Sequence, residues 1–356
     1  MLHNILLTGG SGYIGGTLLA RWKQAGLPEY GRLFSLVRTD AQAITTLSLY
    51  GVQPLSINLE DEEDVKKAIV SRKITIVLYM IDAYFFKHQI QFIKALAEAK
   101  KETGHEVHFI YTTGTKQFSD MGGAPSDRDL LDNDPELFEI HKAQKAEVPE
   151  LQVATNTNIS VVEAGIEHGV RVYMLSPCIV YGKGEGYGNK ISIQTVDIVI
   201  AAKAAGRVHE FDREGQIWPV AHIQDTASLY FALLNAILGG KNPSHRKNGF
   251  YLASAGKVAW HDIYTGIADA LARRGIIEDG AVQLMNDTAL EKIAKAQKVP
   301  SSCVVVKIGG RSTYTAENGK SLGWRPQYPP EHLLQVLDKE VETILKGLDA
   351  KHSGLR

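Results

Sequence analysis

The strongest constraint on the fold lies in the first fifteen residues. A short apolar run, Ile5-Leu6-Leu7, passes directly into Thr8-Gly9-Gly10-Ser11-Gly12-Tyr13-Ile14-Gly15. Strand, glycine turn and helix in that order are what a nucleotide pyrophosphate requires. The glycines give a tight turn, let backbone approach the phosphates and let the next helix pack close to the strand. The helix start then supplies free N–H groups and a positive dipole end. Ile14, Leu18, Leu19 and Trp22 follow at helical spacing, Gly26 stops the helix, and Leu33–Val37 reads as a second strand.

The first half of the chain continues to alternate. Strands are expected at Val52–Ile57, Ile74–Met80, Val107–Tyr111 and Arg171–Pro177, with helices beginning near Glu60–Asp64 and spanning Ile90–Lys101 and Thr157–Gly165. Repeated β-α-β units predict an α/β fold, a Rossmann-type doubly wound parallel sheet. Residues 119–150, rich in Gly, Pro and acidic residues, read as an irregular excursion with a short helix near Glu136–Ala146. Beyond Gly182, a loop with four glycines to Lys190 precedes helices at Asp225–Leu238, His261–Arg274, Thr288–Gln297 and Pro330–Leu348. The predicted organisation is a dinucleotide-binding domain over 1–182 and a smaller substrate-binding lobe over 183–356. Sheet-domain material is expected to return at about 215–240.

Composition narrows the function. Among 356 residues, 39 basic and 40 acidic side chains give a net charge of −1, with no basic run to suggest nucleic acid. The two cysteines, Cys178 and Cys303, form neither a disulfide framework nor a metal motif, and no metal site is expected. No apolar run is long enough to span a bilayer, and a strand four residues from the start leaves no room for a signal peptide. The expectation is a cytoplasmic protein whose partner is a small-molecule substrate.

Four segments together resemble the extended short-chain dehydrogenase/reductases, the NAD-dependent epimerase/dehydratase type. They are Thr8–Gly15, Ser176-Pro177-Cys178-Ile179-Val180-Tyr181-Gly182, His222-Ile223-Gln224-Asp225-Thr226-Ala227 and Leu322-Gly323-Trp324-Arg325-Pro326. The resemblance implies that Thr8–Gly15 hold the pyrophosphate and that Asn58 and Leu59 lie beside the adenine. It further implies that Thr113 hydrogen-bonds substrate, that Pro177 and Ile179 flank the nicotinamide, and that a homodimer is open to the chain. Arg38, at the end of the second strand, stands where an acidic residue would hold the ribose of NAD and an Arg accommodates a 2′-phosphate. NADP is therefore expected, and Asp40 keeps NAD open.

One element of the family pattern is missing. Its acid–base chemistry rests on Tyr-x-x-x-Lys, the Tyr exchanging a proton and the Lys lowering its pKa. None of the 14 tyrosines has Lys four residues on, and the window where the pair belongs reads Glu150-Leu151-Gln152-Val153-Ala154-Thr155-Asn156. Substitutes are Asp82, with Tyr84 and His88 on one face of an expected helix, and Tyr181 after the sixth strand. The plainer readings of these are helix capping and packing. The bulky Tyr79-Met80-Ile81 replaces the small residues usual beside the nicotinamide, so either the cofactor sits differently or the site is narrowed. Open α/β sheets bind ligands beyond the carboxyl ends of their strands, which places Thr113–Phe118, Asn189, Lys190, Trp218 and His222 at the substrate mouth. The expected function is an NAD(P)-dependent oxidoreductase of a small metabolite with a non-standard proton donor. The alternatives are a non-redox isomerase, cyclase or lyase, and a dinucleotide-sensing regulator.

Overall fold

A computed structural model describes residues 2–211 and 215–352. The central sheet is built from β1 (Asn4–Leu7), β2 (Leu33–Leu36), β3 (Gln53–Leu55), β4 (Ile74–Tyr79), β5 (His108–Thr112), β6 (Arg171–Pro177) and β7 (Phe250–Ala253). All neighbours pair in parallel, in the order β7-β6-β5-β4-β1-β2-β3. Strands covered by helices on both faces have no polar side to alternate with. Accordingly all six residues of β4 are buried. The strand order reverses between β1 and β4, where the sheet opens a crevice at its carboxyl edge.

The expected strands form, and their helices are capped as the sequence suggests. Thr39 caps the Asp40–Tyr50 helix, and Asp61 caps Glu62–Ser71 through two backbone N–H groups. Three differences stand out. The helix expected from Thr157 begins eight residues earlier, at Pro149, because a proline at the first helical position loses no hydrogen bond. The Trp218 strand, Ile217–His222, does not join the large sheet. It pairs in parallel with Ile179–Tyr181 and antiparallel with Gly256–Ala259 in a separate three-stranded sheet. The seventh strand of the large sheet is instead Phe250–Ala253, a four-residue apolar run too short to stand out in the sequence.

Two apolar cores result. One surrounds the large sheet and ends at Cys178; the other starts at Ile179 and gathers Trp218, Trp260, Ile263, Leu271 and Leu337. The chain returns to the first core through Ala227–Ile237, Phe250–Ala253, Tyr314 and Trp324. The return is held by buried polar contacts. The Asp225 carboxylate accepts from the N–H groups of Gln327 and Tyr328, at 2.8 and 3.0 Å. The Trp324 indole donates to the Asp225 carbonyl and the Ser228 hydroxyl. Two motifs a hundred residues apart in sequence are thus one structural joint.

Candidate functional site

The glycine turn is fixed by close backbone contacts. The Thr8 N–H donates to the Leu78 carbonyl at 2.9 Å, and the Met80 N–H donates to Thr8 Oγ1 at 2.8 Å, tying β1 to β4. Gly9 has φ +69°, a region that disfavours side chains. A Cβ on Gly15 would stand 2.4 Å from the Gly9 carbonyl oxygen. The helix begins at Tyr13, and Gly12 brings no side-chain cap to its first turn. Those N–H groups have no intrahelical acceptor, so the turn presents donors where an anion fits.

At the adenosine side, Arg38 is exposed, and among the described residues its guanidinium makes no hydrogen bond or ion pair. Its backbone N–H donates to Gln42 Oε1 at 2.9 Å, which fixes the main chain and leaves the side chain to swing. Asn58 is exposed, with Oδ1 accepting from the Glu60 N–H, while Leu59 packs on the first core.

Beyond β5 lies a buried polar chain that sequence reading did not find. Thr113 Oγ1 donates to Asn158 Oδ1 at 2.7 Å, and the Asn158 amide donates to His141 Nε2 at 3.1 Å. His141 Nδ1 then faces Gln144 Oε1, and Gln144 Nε2 donates to the carbonyls of Gln117 and Gly122. An Nε2 that accepts requires a neutral ring with its proton on Nδ1. Burial agrees, pulling the His141 pKa down to about 4. The Thr113 hydroxyl proton is therefore committed to Asn158. While that bond stands, Thr113 can accept from a substrate hydroxyl but cannot donate to a carbonyl. The one sequence hint was an Asn placed mid-helix, where it usually needs a specific partner.

The other acid–base candidates do not form the expected helical face. The helix after β4 starts at Lys87, so Tyr84 lies in the preceding loop and shares no helix face with His88. Asp82 Oδ1 accepts from the Tyr84 N–H at 2.7 Å, a turn contact, and His88 points to Glu60 at 2.9 Å. Tyr181 is fully buried, its hydroxyl 3.0 Å from His332 Nδ1, and burial raises its pKa. Residues 150–156 form the start of the Pro149–Glu167 helix, where Leu151 packs with Met121, Val148 and Cys303. Apolar side chains from the last third of the chain, Cys303 with Val299, Val305 and Val306, join that packing. Tyr79 is wholly buried against Phe92, Phe109 and Tyr111, so its bulk fills core, leaving Ile81 exposed at the edge.

The expected substrate residues are likewise redistributed. Trp218 is wholly buried in the second core beside Trp260. His222 caps the following helix through Gln224 and lies with its ring 4.0 Å from that of Tyr328. Ile179 is wholly buried in the second core, whereas Pro177 stays half-buried at the edge, its carbonyl accepting from Thr115 Oγ1. Lys190 is exposed. The loop Gly182–Lys190 is a strap across the glycine turn. The Asn189 N–H donates to the Ser11 carbonyl at 2.9 Å, and the Asn189 side chain bonds its own loop at Ile191. Tyr13 Oη donates to the Gly182 carbonyl at 2.5 Å, and Glu185 pairs with Arg21 at 2.9 Å. Gly186 lies so close to Gly16 that a Cβ would meet its Cα at 2.5 Å. The strap uses a carbonyl of the turn, an acceptor for which a pyrophosphate has no use, and leaves the donors unspent.

Among the described residues no group of three or more His, Cys, Asp or Glu side chains is placed to hold a metal, and no helix is long and apolar enough to cross a membrane.

Comparison with known proteins agrees with this geometry. The chain is similar to UDP-glucose 4-epimerase of Thermotoga maritima solved with UDP-glucose, at 16% identity and TM-score 0.62, covering 97% of this chain and 99% of that one. It is similar to UDP-glucose 4-epimerase of Thermus thermophilus in complex with NAD, at 16% identity and TM-score 0.60, covering 96% and 99%. It is also similar to dTDP-glucose 4,6-dehydratase of Bacillus anthracis in complex with NAD, at 13% identity and TM-score 0.61, covering 97% of each. At these identities the likeness is one of fold. No curated protein matches the chain by sequence. The model of the NAD dependent epimerase/dehydratase family matches residues 5–246, which takes in the glycine turn, the crevice edge and the strap, and the chain belongs to that family.

Proposed function

We propose that this protein is an NAD(P)-dependent oxidoreductase of the extended short-chain dehydrogenase type, acting on a small organic metabolite through a proton donor other than Tyr-x-x-x-Lys. The observation that carries the reading is the backbone cradle. Gly9 at positive φ and Gly15 without room for a Cβ leave a helix start whose donors face no side chain. The first-turn N–H groups would hold the pyrophosphate, Asn58 and Leu59 the adenine side and Pro177 the nicotinamide edge. The free guanidinium of Arg38 suits the 2′-phosphate of NADP. A bound dinucleotide supplies or accepts a hydride. Thr113, its own proton given to Asn158, orients a substrate hydroxyl as an acceptor.

The test is direct. NADPH and NADH are titrated against the full chain by fluorescence, and absorbance at 340 nm is followed across a panel of carbonyl compounds. NADPH binding and oxidation by at least one compound are expected. Tight NADPH binding with no hydride transfer to any compound would remove the oxidoreductase reading. A second reading, a lyase or isomerase acting on nucleotide sugars, draws support from the missing pair and from neighbours solved as epimerase and dehydratase. It predicts conversion of UDP-glucose or a related sugar with no net loss of NADPH.

A further inference from the structure

Lys116 lies in the turn Thr115–Phe118, three residues beyond Thr113 at the carboxyl edge of the large sheet. A lysine at such a turn ordinarily extends into water. This one runs inward to the second core. Its Nζ lies 4.2 Å from the ring centroid of Trp218 and 5.3 Å from that of Trp260, both buried. Nζ donates to the Gly309 carbonyl at 3.3 Å and makes no ion pair among the described residues. The charged groups that face it are Asp197 from the Gln194–Ala205 helix, Asp120, and Lys307 from the Val304–Ile308 helix. Asp197 is already held by Lys307 at 2.8 Å.

An ammonium carries three N–H donors, and this one spends a single donor on a long bond. The Trp218 Nε1 is also buried without a partner. Desolvated donors without acceptors are costly, and natural structures keep few of them. Two such groups meet here, at the junction of the two cores, on the turn that follows Thr113, the residue proposed to orient a substrate oxygen. That oxygen would supply the missing acceptor.

We propose that Lys116 is the residue that exchanges a proton with the substrate oxygen at the junction of the two cores, the task that Tyr-x-x-x-Lys performs elsewhere in the family. The proposal rests on the oxidoreductase reading above. As the carbonyl carbon gains a hydride from the reduced dinucleotide, which is thereby oxidised, the C=O π pair moves to oxygen. The oxygen then takes a proton from Nζ. The ammonium becomes an amine and recovers its proton from water. In the oxidising direction the amine accepts the alcohol proton. Burial draws the Lys116 pKa down from 10.5 to about 7, against the pull of Asp197 and Asp120, so both forms are populated at neutral pH. An acid is most effective when its pKa lies near the working pH.

The experiment uses the full chain labelled with [13Cε]lysine. The Lys116 resonance is identified as the one lost in both Lys116→Arg and Lys116→Met, and its shift is followed from pH 5 to 11. A midpoint near 7 is expected. A midpoint above 9 overturns the proposal. For any carbonyl compound that oxidises NADPH, Lys116→Arg, which keeps the charge but cannot lose its proton, is expected to lower kcat by about 10²–10⁴-fold. NADPH affinity is expected to stay unchanged. Unchanged kcat in that variant overturns the proposal as well. Failure to bind NADPH at all instead defeats the oxidoreductase reading, so the two failures are distinct. Where NADPH binds and no compound in the panel turns over, the oxidoreductase reading falls and this proposal falls with it.

Discussion

The glycine turn and the start of the Pro149–Glu167 helix differ in how far each keeps the pattern that the family resemblance implies. The turn is intact to the residue. Its work is done by backbone, and at Gly9, Gly12 and Gly15 an added Cβ would crowd a carbonyl oxygen. The helix start carries neither Tyr nor Lys over residues 150–156, and its Leu151 packs with Met121, Val148 and Cys303. Backbone recognition leaves little freedom, because the required geometry excludes all but glycine. Side-chain chemistry needs only a group of suitable pKa within reach, and that group can be carried by another element. The loss at one place therefore does not by itself remove function from the other.

The largest effect that probes this contrast comes from Gly15→Ala. The new Cβ would stand 2.4 Å from the Gly9 carbonyl, a backbone atom that cannot rotate aside. Dinucleotide affinity is expected to fall by at least about 100-fold, about 2.7 kcal/mol. Glu150→Ala, at the vacated window, should leave affinity within about twofold. Equal losses from both substitutions would erase the distinction between the two regions.

The buried polar chain beyond β5 makes the next prediction, a dependence of stability on pH. His141 has a folded pKa of about 4 against 6.5 for an unperturbed imidazole, with burial as the cause. Between those values the unfolded state binds more protons, so stability rises with pH and is lost as pH falls through 6.5 toward 4. His141 alone contributes a loss of about 2 kcal/mol between pH 8 and pH 5. Urea midpoints at the two pH values measure it. His141→Gln should flatten the slope by that amount even though it lowers stability overall. An unaltered slope would mean that the ring is not held neutral by burial.

The same contrast explains what the sequence made legible. Strands β1, β2, β4, β5 and β6 were readable because continuous apolar runs flanked by turn residues admit little else. Thr8–Gly15 was readable because glycine spacing encodes backbone geometry directly. The polar chain from Thr113 to Gln144 was not, because its members come from a strand end and two helices that only the tertiary fold unites. Lys116 carried no signal either, since a lysine in a polar turn reads as solvated until Trp218 and Trp260, both far along the chain, are seen to enclose it. Trp218 and His222 were assigned to a substrate mouth because their strand was placed at the large sheet, whereas it builds the smaller one.

Arg38 sharpens the comparison at the adenosine end. Its proposed role rests on the side chain, beside a backbone cradle, so changing it should alter which dinucleotide binds without abolishing binding. Arg38→Asp removes the partner of a 2′-phosphate and supplies an acceptor for ribose hydroxyls. The ratio of NADPH to NADH affinity is expected to fall by at least about tenfold, about 1.4 kcal/mol. Paired titrations measure it, and a constant ratio would show that Arg38 lies outside the site.

The smallest effect belongs to the strap, where backbone and side-chain contacts act on the same loop. Glu185 pairs with Arg21 and accepts from Gln224 Nε2 at 2.8 Å, but both members of the ion pair keep about a third of their side chains in water. Exposed pairs are worth about 0.2–1 kcal/mol, and salt screens them. Glu185→Gln is therefore expected to cost under about 1 kcal/mol in urea unfolding, and raised salt should shrink the difference further. Gly186 is held by a different constraint, the Cα of Gly16 at 2.5 Å from where a Cβ would lie, which salt does not touch. Gly186→Ala should lift the strap and change dinucleotide affinity at any ionic strength. If Glu185→Gln instead matched Gly186→Ala in size, the strap would be held mainly by charge, and the rule that backbone contacts fix this end of the molecule would fail at its edge.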